Sequence, residues 1–325
     1  MKKNITVVGC GYWGKNLVRN FSELGALYSI CDPNTEIANK YASQYNVKNS
    51  SFIEIINDLN IKGVVLAVPA HLHASMAIEA MNKGKHVFVE KPLAMNENES
   101  ELMIATAKKN DVKLMVGHLL QYHPIFKKIL KIVNANEIGE LNYIYSNRLS
   151  FGKVRTKEDI IWSFAPHDIS MILSLAGQDP EFIITKSTSI LQKNIADTAT
   201  IHMEFKSGLK SHISVSWLHP YKEHKLVVSG KSAMLVFDDT KPWNEKLALY
   251  PYEVVSSKGI INLKKSDVKY LEVPEEEPLK NECQHFIDVV EKDIKPMIDG
   301  AEGLRVVKVL SAASKSKTIN EAVKL

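Results

Sequence analysis

The segment Glu90-Lys91-Pro92 places an acid, a base and a proline directly after the apolar run 87–89. A short apolar run bounded by polar residues is typical of a buried strand. A parallel strand here would deliver Glu90 and Lys91 to the carboxyl edge of a sheet, where open α/β sheets bind ligands. A lysine at that edge can donate hydrogen bonds to a reacting oxygen and stabilise its negative charge. From these residues alone, an ordinary strand end with a surface lysine remains the alternative.

A second group that could do chemistry is the glycine-rich turn Gly9-x-Gly11-x-x-Gly14. It lies between a β-type run, 5–8, and a segment with helical periodicity, 15–24, which is the context of a dinucleotide-binding turn. The first glycine permits a tight turn, the second lets the backbone approach a pyrophosphate, and the third lets the helix pack against the strand. The amino end of that helix offers N–H groups to phosphates. A glycine-rich turn in an unrelated fold remains the alternative.

Asp32 follows the next β-type run, 26–31, at roughly the twenty-residue distance from the glycines that dinucleotide-binding folds use. A carboxylate there accepts hydrogen bonds from ribose hydroxyls and repels a 2′-phosphate. We therefore predict NAD rather than NADP as the cofactor. His71 and His73, which follow a further predicted strand, have no Asp, Glu or Cys at a ligand spacing. We expect them to be loop residues beside the cofactor and predict no metal site.

His167 is a candidate general base, because histidine titrates near neutral pH. The residues after it have helical periodicity and Pro166 suits a first helical turn, so the sequence predicts a helix over 167–176. His167 would then begin a helix and project its imidazole into a cleft. A lone histidine is more often a polar core or surface residue, so its type and position alone do not assign it a role.

The elements that must position these residues alternate between strand and helix in the first part of the chain. Such alternation predicts a doubly wound parallel sheet, an α/β Rossmann domain over 1–121 that binds the dinucleotide. Besides the runs named above, the predicted strands are 63–68, 86–89 and 113–116, and the predicted helices are 53–59, 73–83 and 97–109.

After Gly139 the pattern changes to successive β-type runs with turn signals between them. We predict an α+β domain over 122–325 with a large, mostly antiparallel, open-faced sheet that binds substrate and mediates oligomerisation. Since few helices cover it, a homo-oligomer would bury its open face. The predicted strands are 141–149, 181–190, 198–205, 209–217, 225–229, 233–237 and 270–274, and the predicted helices are 124–133, 279–290 and 303–315.

Composition agrees with an ordinary globular protein of two domains, with 325 residues, 45% apolar and 24% charged residues. The net charge is +4 and no basic block interleaves with aromatics, so we expect no nucleic-acid partner. No run is long enough for a membrane helix, and the N-terminal residues lack an apolar signal core. Three scattered cysteines make no disulfide framework. We expect a cytoplasmic protein.

The glycine turn, Asp32, Val68-Pro69-x-x-x-His73 and Glu90-Lys91-Pro92, in this order and spacing, resemble the Gfo/Idh/MocA oxidoreductases. This is the family of glucose–fructose oxidoreductase and inositol dehydrogenase, and the likeness covers nearly the whole chain. The resemblance implies an NAD-dependent dehydrogenase in which Lys91 lies between nicotinamide and substrate and its bond to Pro92 is often cis. It also implies a sheet used for dimer or tetramer contacts.

Combined with the residue patterns, the resemblance gives a set of expected site residues. The catalytic pair is Lys91 and His167. The expected cofactor-binding residues are Gly9, Gly11, Tyr12, Trp13, Gly14, Asp32, Pro69, His71, His73, Glu90, Lys91, Gln121 and Trp162. The expected substrate-binding residues are Lys91, Arg155, Ser163 and His167.

The segments 162–169 and 216–220 resemble bacterial members that act on nucleotide sugars, of the UDP-N-acetylglucosaminuronate 3-dehydrogenase type. Typical members carry an Asp four residues before the catalytic His, where this chain has Ser163, which puts in doubt a carboxylate that orients His167. Arg155 offers a bidentate grip on a carboxylate or phosphate. The neighbouring Lys153 and Lys157 are as readily explained by a solvated loop.

These inferences predict reversible hydride transfer between NAD and a secondary hydroxyl of a sugar, C3 of a UDP-N-acetylated hexuronate in bacterial surface-polysaccharide sugar biosynthesis. His167 would remove the hydroxyl proton, and Lys91 would stabilise the developing alkoxide. The alternatives are a dehydrogenase or reductase of a free sugar, a cyclitol or a deoxy-ketosugar, and a non-catalytic NAD-binding regulator. A regulator is expected to have lost the Lys or the His, and this chain retains both.

Overall fold

A computed structural model describes residues 2–257 and 259–325 of the chain. The helices are α1 Gly14–Glu23, α2 Thr35–Tyr45, α3 Phe52–Asn57, α4 His73–Asn82, α5 Glu97–Lys109, α6 Pro124–Asn134, α7 Ile160–Ala176, α8 Pro278–Lys292 and α9 Gly300–Ile319. The strands are β1 Ile5–Val8, β2 Leu27–Cys31, β3 Lys48–Asn49, β4 Gly63–Leu66, β5 His86–Glu90, β6 Leu114–Gly117, β7 Leu141–Phe151, β8 Pro180–Thr188, β9 Thr198–Phe205, β10 Lys210–Ser216, β11 Leu218–Gly230, β12 Ala233–Asp238, β13 Leu247–Ser257, β14 Ile260–Lys265, β15 Lys269–Tyr270 and β16 Val323–Lys324. Short 3-10 turns cover Ala70–Leu72, Leu119–Tyr122 and Trp243–Glu245.

The chain divides into two compact units, the first comprising 1–122 and 277–307 and the second 123–276 and 308–325. The first unit contains a six-stranded parallel sheet in the order β3-β2-β1-β4-β5-β6, which is the Rossmann order. Its central strands β1 and β4 are buried throughout. The predicted Rossmann fold is confirmed.

The register of this sheet aligns the carboxyl ends of its strands. Val8 lies opposite both Cys31 and Leu66, and Leu66 in turn lies opposite Val89. The residues that follow these strand ends therefore meet at one edge of the sheet. The glycine-rich turn, Asp32 and Glu90 all belong to that edge.

The predicted division at 121/122 differs from the observed units at the C-terminal part of the chain, because residues 277–307 pack with the Rossmann unit. The reason lies in the apolar face of α8. Phe286 contacts Phe88 of β5, with ring centroids 5.5 Å apart, and Phe21 of α1, with ring centroids 6.3 Å apart. Gly303 at the start of α9 also lies against Val116 of β6. Helix α8 and the first part of α9 therefore pack against the parallel sheet, whereas α9 from residue 308 onward belongs to the second unit.

The second unit contains a ten-stranded mixed sheet along the path β14-β13-β12-β11-β7-β10-β9-β8-β16, with β15 paired to β13. Among the strand pairs of the described residues in this sheet, only β7–β10 is parallel, so the expectation of a mostly antiparallel sheet is confirmed. Strands β13 and β14 were not predicted. The last strand was predicted at 270–274, whereas β15 ends at Tyr270 and β16 lies near the C-terminus.

Helix α7 begins seven residues earlier than predicted. The Asp159 side chain accepts hydrogen bonds from the backbone N–H groups of Ile161 and Trp162 and caps the helix at its amino end. The prediction that Pro166 occupies the first turn is therefore wrong, since Pro166 lies inside the helix and His167 follows it near the middle. Among the described residues, we find no helix both long and apolar enough to cross a membrane.

Candidate active site

The glycine-rich turn after β1 is packed so closely that two of its glycines tolerate no side chain. Gly9 has φ +93°, and a Cβ there would lie 2.4 Å from the Ala67 carbonyl oxygen. A Cβ on Gly14 would lie 1.9 Å from the Gly9 carbonyl oxygen. Gly11 is different, because a Cβ there would have no heavy atom within 4 Å among the described residues. The open space at Gly11 is where a dinucleotide-binding turn admits the pyrophosphate.

Asp32 is held in place by backbone amides from two directions. Its Oδ2 accepts the Cys10 N–H at 2.7 Å, and its Oδ1 accepts the Asn34 N–H at 2.9 Å. The bond to Cys10 ties the carboxylate at the end of β2 to the glycine-rich turn. Gly9 reinforces this link, because its N–H donates to the Cys31 carbonyl at 2.7 Å. Asp32, the acid expected to accept hydrogen bonds from the ribose hydroxyls, is therefore already held in position by the backbone.

A cavity of about 660 Å³ opens at this edge of the Rossmann unit. It includes Gly9, Gly11, Asp32 and Pro69, which sequence analysis assigned to the cofactor. It also includes residues that were not predicted, because their spacing carries no binding pattern. These are Val8, Cys31, Pro33, Asn49, Ser50, Ser51, Phe52, Ala67, Val68, Leu72 and Met76. A mostly apolar cavity with a fixed acid and a glycine-rich wall fits NAD.

Trp13 connects the glycine-rich turn to the end of β5. Its indole Nε1–H donates to Glu90 Oε1 at 2.6 Å, and its ring stays partly exposed. Tyr12 beside it is 85% exposed. The hydrogen bond therefore fixes the position of the turn relative to Glu90-Lys91-Pro92, whereas Tyr12 remains accessible to a ligand.

Glu90 is buried at the carboxyl end of β5, opposite Gly117 of β6. A Cβ on Gly117 would lie 3.2 Å from the Glu90 carboxyl group, so the glycine leaves room for that side chain. Burial raises the pKa of Glu90 to about 7, although the hydrogen bond from Trp13 and the charge of Lys91 act in the opposite direction. The Lys91 N–H donates to Glu90 Oε2 at 3.3 Å, and the Lys91–Pro92 bond is cis, as the family resemblance implies.

His73 is buried under the edge of the sheet, with ring nitrogens 2.8 Å from the Pro92 carbonyl oxygen and 2.9 Å from that of Val68. Burial lowers the pKa of His73, although the two carbonyl contacts, which need an N–H on each ring nitrogen, act in the opposite direction. His73 thus joins the end of β4 to Pro92, whereas His71 in the adjoining 3-10 turn is exposed.

Two further buried residues follow β6. Gln121, one of the expected cofactor-binding residues, is 3% exposed in the 3-10 turn that leads out of the Rossmann sheet. His118 precedes it, and burial together with the charge of Lys91 lowers the pKa of His118 to about 3. His118 is therefore neutral at physiological pH. Sequence analysis did not single it out.

His167 lies in the second unit, half-buried within α7. Its helix is fixed to β7 through the next residue, Asp168, whose carboxylate is 1% exposed. Arg148 Nε donates to Asp168 Oδ2 at 2.6 Å, and Ser146 Oγ donates to Asp168 Oδ1 at 2.5 Å. Sequence analysis missed this network, because its partners are separated by about twenty residues along the chain.

The other expected residues of the second unit occupy α7 and the loop before it. The Trp162 indole N–H donates to Ser314 Oγ at 2.9 Å, and Ser163 is buried one helical turn before His167. Arg155 is exposed in the loop, and its Nε lies 3.6 Å from Glu158 Oε1. An anionic ligand would compete with Glu158 for this guanidinium group.

The six-stranded sheet, the glycine-rich turn and the anchored Asp32 define a dinucleotide-binding Rossmann unit, joined in this chain to a second unit. The family models make the assignment specific. The oxidoreductase family with an NAD-binding Rossmann fold matches residues 3–118, and the Gfo/Idh/MocA C-terminal domain matches residues 126–236. The chain belongs to the Gfo/Idh/MocA oxidoreductase family.

Relatives that match almost the whole chain have different activities. The chain is 23% identical to a UDP-N-acetylglucosamine 3-dehydrogenase of Acidithiobacillus ferrooxidans, covering 97% of this chain and 96% of the relative. It is 24% identical to a myo-inositol 2-dehydrogenase of Thermotoga maritima, covering 99% of this chain and 98% of the relative. The crystal structure of an aldose–aldose oxidoreductase from Caulobacter crescentus has the same fold, with a TM-score of 0.85, 18% identity and full coverage of both chains.

Proposed function

We propose that this protein is an NAD-dependent dehydrogenase that oxidises a secondary hydroxyl group of a sugar, C3 of a UDP-N-acetylated hexuronate, in bacterial surface-polysaccharide sugar biosynthesis. The observation that carries the proposal is the placement of Lys91 directly after β5, at the edge of the sheet that also presents the glycine-rich turn and Asp32. The full-length likeness to a UDP-N-acetylglucosamine 3-dehydrogenase supports a nucleotide-linked sugar.

When bound, NAD⁺ would supply the acceptor for a hydride from the sugar carbon. Gly9, Gly11, Gly14 and Asp32 would hold it, together with the other residues that line the cavity. We assign to Lys91 a hydrogen bond to the sugar hydroxyl oxygen, which stabilises the negative charge that develops there. We assign to His167 the removal of the hydroxyl proton. Arg155 would bind the carboxylate or phosphate of the substrate in place of its contact with Glu158.

The test is a panel of UDP-sugars, free sugars and cyclitols with NAD⁺, followed by NADH absorbance. We expect reduction with a UDP-N-acetylated hexuronate. Replacing Lys91 by Ala should lower kcat on that substrate by about 10²-fold or more while NADH binding survives. Turnover by Lys91→Ala within about threefold of the unmodified enzyme would refute the assignment of Lys91.

A cyclitol is the second candidate substrate, because the likeness to a myo-inositol 2-dehydrogenase is also full-length. Arg155→Ala discriminates between the two, since its loss should raise KM only for an anionic substrate. Lys153→Ala in the same loop is the matched control. Equal effects of the two changes would remove Arg155 from the substrate site.

We also propose a homodimer or homotetramer formed through the sheet of the second unit. On β7, Ile144 and Ser146 are buried, whereas the alternate residues Tyr143 and Tyr145 are partly exposed on the opposite face. Tyr145 stacks on His212 of β10 with an interplanar angle of 8°. Partly exposed aromatic residues on a sheet face support a surface that a second copy would cover.

A further inference from the structure

Glu282 is a buried acid that the proposed mechanism does not use. It lies on the apolar face of α8, one helical turn before Phe286, whose ring contacts Phe88 of β5. Glu90 follows Phe88 by two residues and so lies on the same side of β5. One helical turn and two strand residues both advance by about 6 Å. Helix α8 runs antiparallel to the strands, because Asp293 at its C-terminal end pairs with Lys113 just before β6. The contact between the two rings therefore brings Glu282 beside Glu90.

The surroundings of Glu282 favour a protonated carboxyl group. The side chain is fully buried, and neither oxygen accepts a hydrogen bond from any residue in the described ranges 2–257 and 259–325. Burial, and after it the charge of Glu90, raise the pKa of Glu282 well above its ordinary value. A protonated carboxyl group is an O–H donor, whereas a carboxylate only accepts. Burial without a hydrogen-bond donor therefore favours the form of Glu282 that carries a hydrogen to donate.

Glu90 is suited to accept the hydrogen bond that Glu282 can donate. Its two oxygens accept from the Trp13 indole at 2.6 Å and from the Lys91 N–H at 3.3 Å, and both bonds favour the carboxylate form. A carboxylate has about four lone-pair sites, so these two bonds leave Glu90 able to accept another. Two carboxyl groups can form a hydrogen bond with each other only if one of them is protonated, and Glu282 is the one that favours the protonated form.

We propose that Glu282 is a positioning residue of the cofactor site: its protonated carboxyl group donates a hydrogen bond to Glu90 and holds that carboxylate against the Trp13 indole and the Lys91 backbone. The α8 helix would thereby support both the glycine-rich turn and the catalytic lysine. The expected effect of a Glu282 substitution on turnover rests on the role proposed for Lys91. The expected effect on the pH dependence of Trp13 fluorescence does not.

The titration of this pair can be distinguished from that of the other ionisable groups nearby. Tyr122 and Cys283 are buried, and burial raises the pKa of each well above its ordinary value, so both stay neutral between pH 5.5 and 9. The pKa of His118 is lowered to about 3, and the Arg19–Glu277 ion pair keeps its charges over the same range. The His285 ring packs against the Tyr122 ring, with ring centroids 5.6 Å apart. A titration of His285 would persist in Glu90→Gln, whereas that of the pair would not.

The experiment follows tryptophan fluorescence from pH 5.5 to 9 without ligand, taking the component lost in Trp13→Phe as the signal of Trp13. A hydrogen bond donated to Glu90 favours its charged form and lowers the pKa of Glu90. Removing the donor in Glu282→Leu should therefore raise the midpoint by about one to two pH units above that of the unmodified protein. Glu282→Gln should keep the midpoint, because its amide N–H donates instead. Glu291→Leu, on the exposed face of α8, is the matched control and should also keep it.

An unchanged midpoint in Glu282→Leu overturns the proposal, and so does a Glu282→Gln midpoint that moves as far as that of Glu282→Leu. If the Leu variant does not fold, infrared spectra of the unmodified protein and Glu282→Gln decide the question. A carboxylic acid carbonyl band at pH 8 that Glu282→Gln lacks supports the proposal, and identical spectra overturn it. Glu282→Leu should also lower kcat about tenfold. If no sugar is oxidised at all, the proposed function fails while the fluorescence result stands.

Discussion

Replacing the glycines of the turn one at a time should separate folding from cofactor binding. A Cβ on Gly14 would lie 1.9 Å from a backbone oxygen of Gly9 and 3.2 Å from the Ala67 Cβ, so the turn and α1 must move apart. Overpacking of a close contact costs about 1–3 kcal/mol, and a backbone neighbour places Gly14→Ala at the upper end. With a shift of about 2–4 °C per kcal/mol, the midpoint of thermal unfolding should fall by about 6–12 °C.

Gly11→Ala is the matched control at the same turn. Its Cβ meets nothing within 4 Å among the described residues, and its φ lies outside the left-handed region. The loss of backbone freedom in the unfolded chain then stabilises the fold by up to about 1 kcal/mol. The same methyl group occupies the space through which a pyrophosphate approaches the backbone. Loss of a charge-assisted hydrogen bond should weaken NADH binding by about tenfold to a hundredfold.

The assays are thermal unfolding by circular dichroism and titration of NADH fluorescence, carried out on both variants. We expect Gly14→Ala to unfold at a lower temperature, and Gly11→Ala to keep or slightly raise its midpoint while binding NADH weakly. The reasoning is refuted if Gly11→Ala binds NADH as the unmodified protein does. It is equally refuted if Gly11→Ala loses as much thermal stability as Gly14→Ala.

Two further predictions concern the anchored acids. Asp32→Ala should reduce the preference for NADH over NADPH by about tenfold or more in a binding titration, since the fixed carboxylate no longer repels a 2′-phosphate; an unchanged preference would remove Asp32 from the ribose site. Asp168→Asn should destabilise the second unit by about 3 kcal/mol in urea unfolding, because the Arg148 guanidinium group loses its buried counter-charge. The matched control, Glu158→Gln at the exposed Arg155 pair, should change stability by less than about 1 kcal/mol.

The Rossmann unit could be predicted closely because its local signals agree with its fold. Runs of buried apolar residues gave the central strands, and the glycine spacing with Asp32 gave the turn that the structure places at their carboxyl ends. Helix α2 was missed because only Ala38 of its residues is buried, so it has no apolar stripe to detect. Its visible signal is the cap, since the Asn34 side chain accepts the Glu36 and Ile37 N–H groups.

The second unit was less predictable because its signals conflict. Pro251 interrupts the run that forms β13, and proline argues against a strand in the middle of a sheet. Pro166 argued for a helix start, yet the Asp159 cap sets the start seven residues earlier. The assignment of 277–307 to the Rossmann unit depends on Phe286 meeting Phe21 and Phe88, which are distant in sequence. No local pattern reports such a contact.

The position of His167 within α7 shows whether another acid of this helix could replace the Asp that typical family members carry where this chain has Ser163. The only acid within α7, all of whose residues the structure describes, is Asp168. Consecutive residues on a helix point about 100° apart, so Asp168 does not share the face of His167. Its carboxylate is also committed to Arg148 and Ser146 of β7. Asp168 therefore holds the helix rather than replacing the acid, and the proposed proton transfer at His167 proceeds without a carboxylate supplied by its own helix.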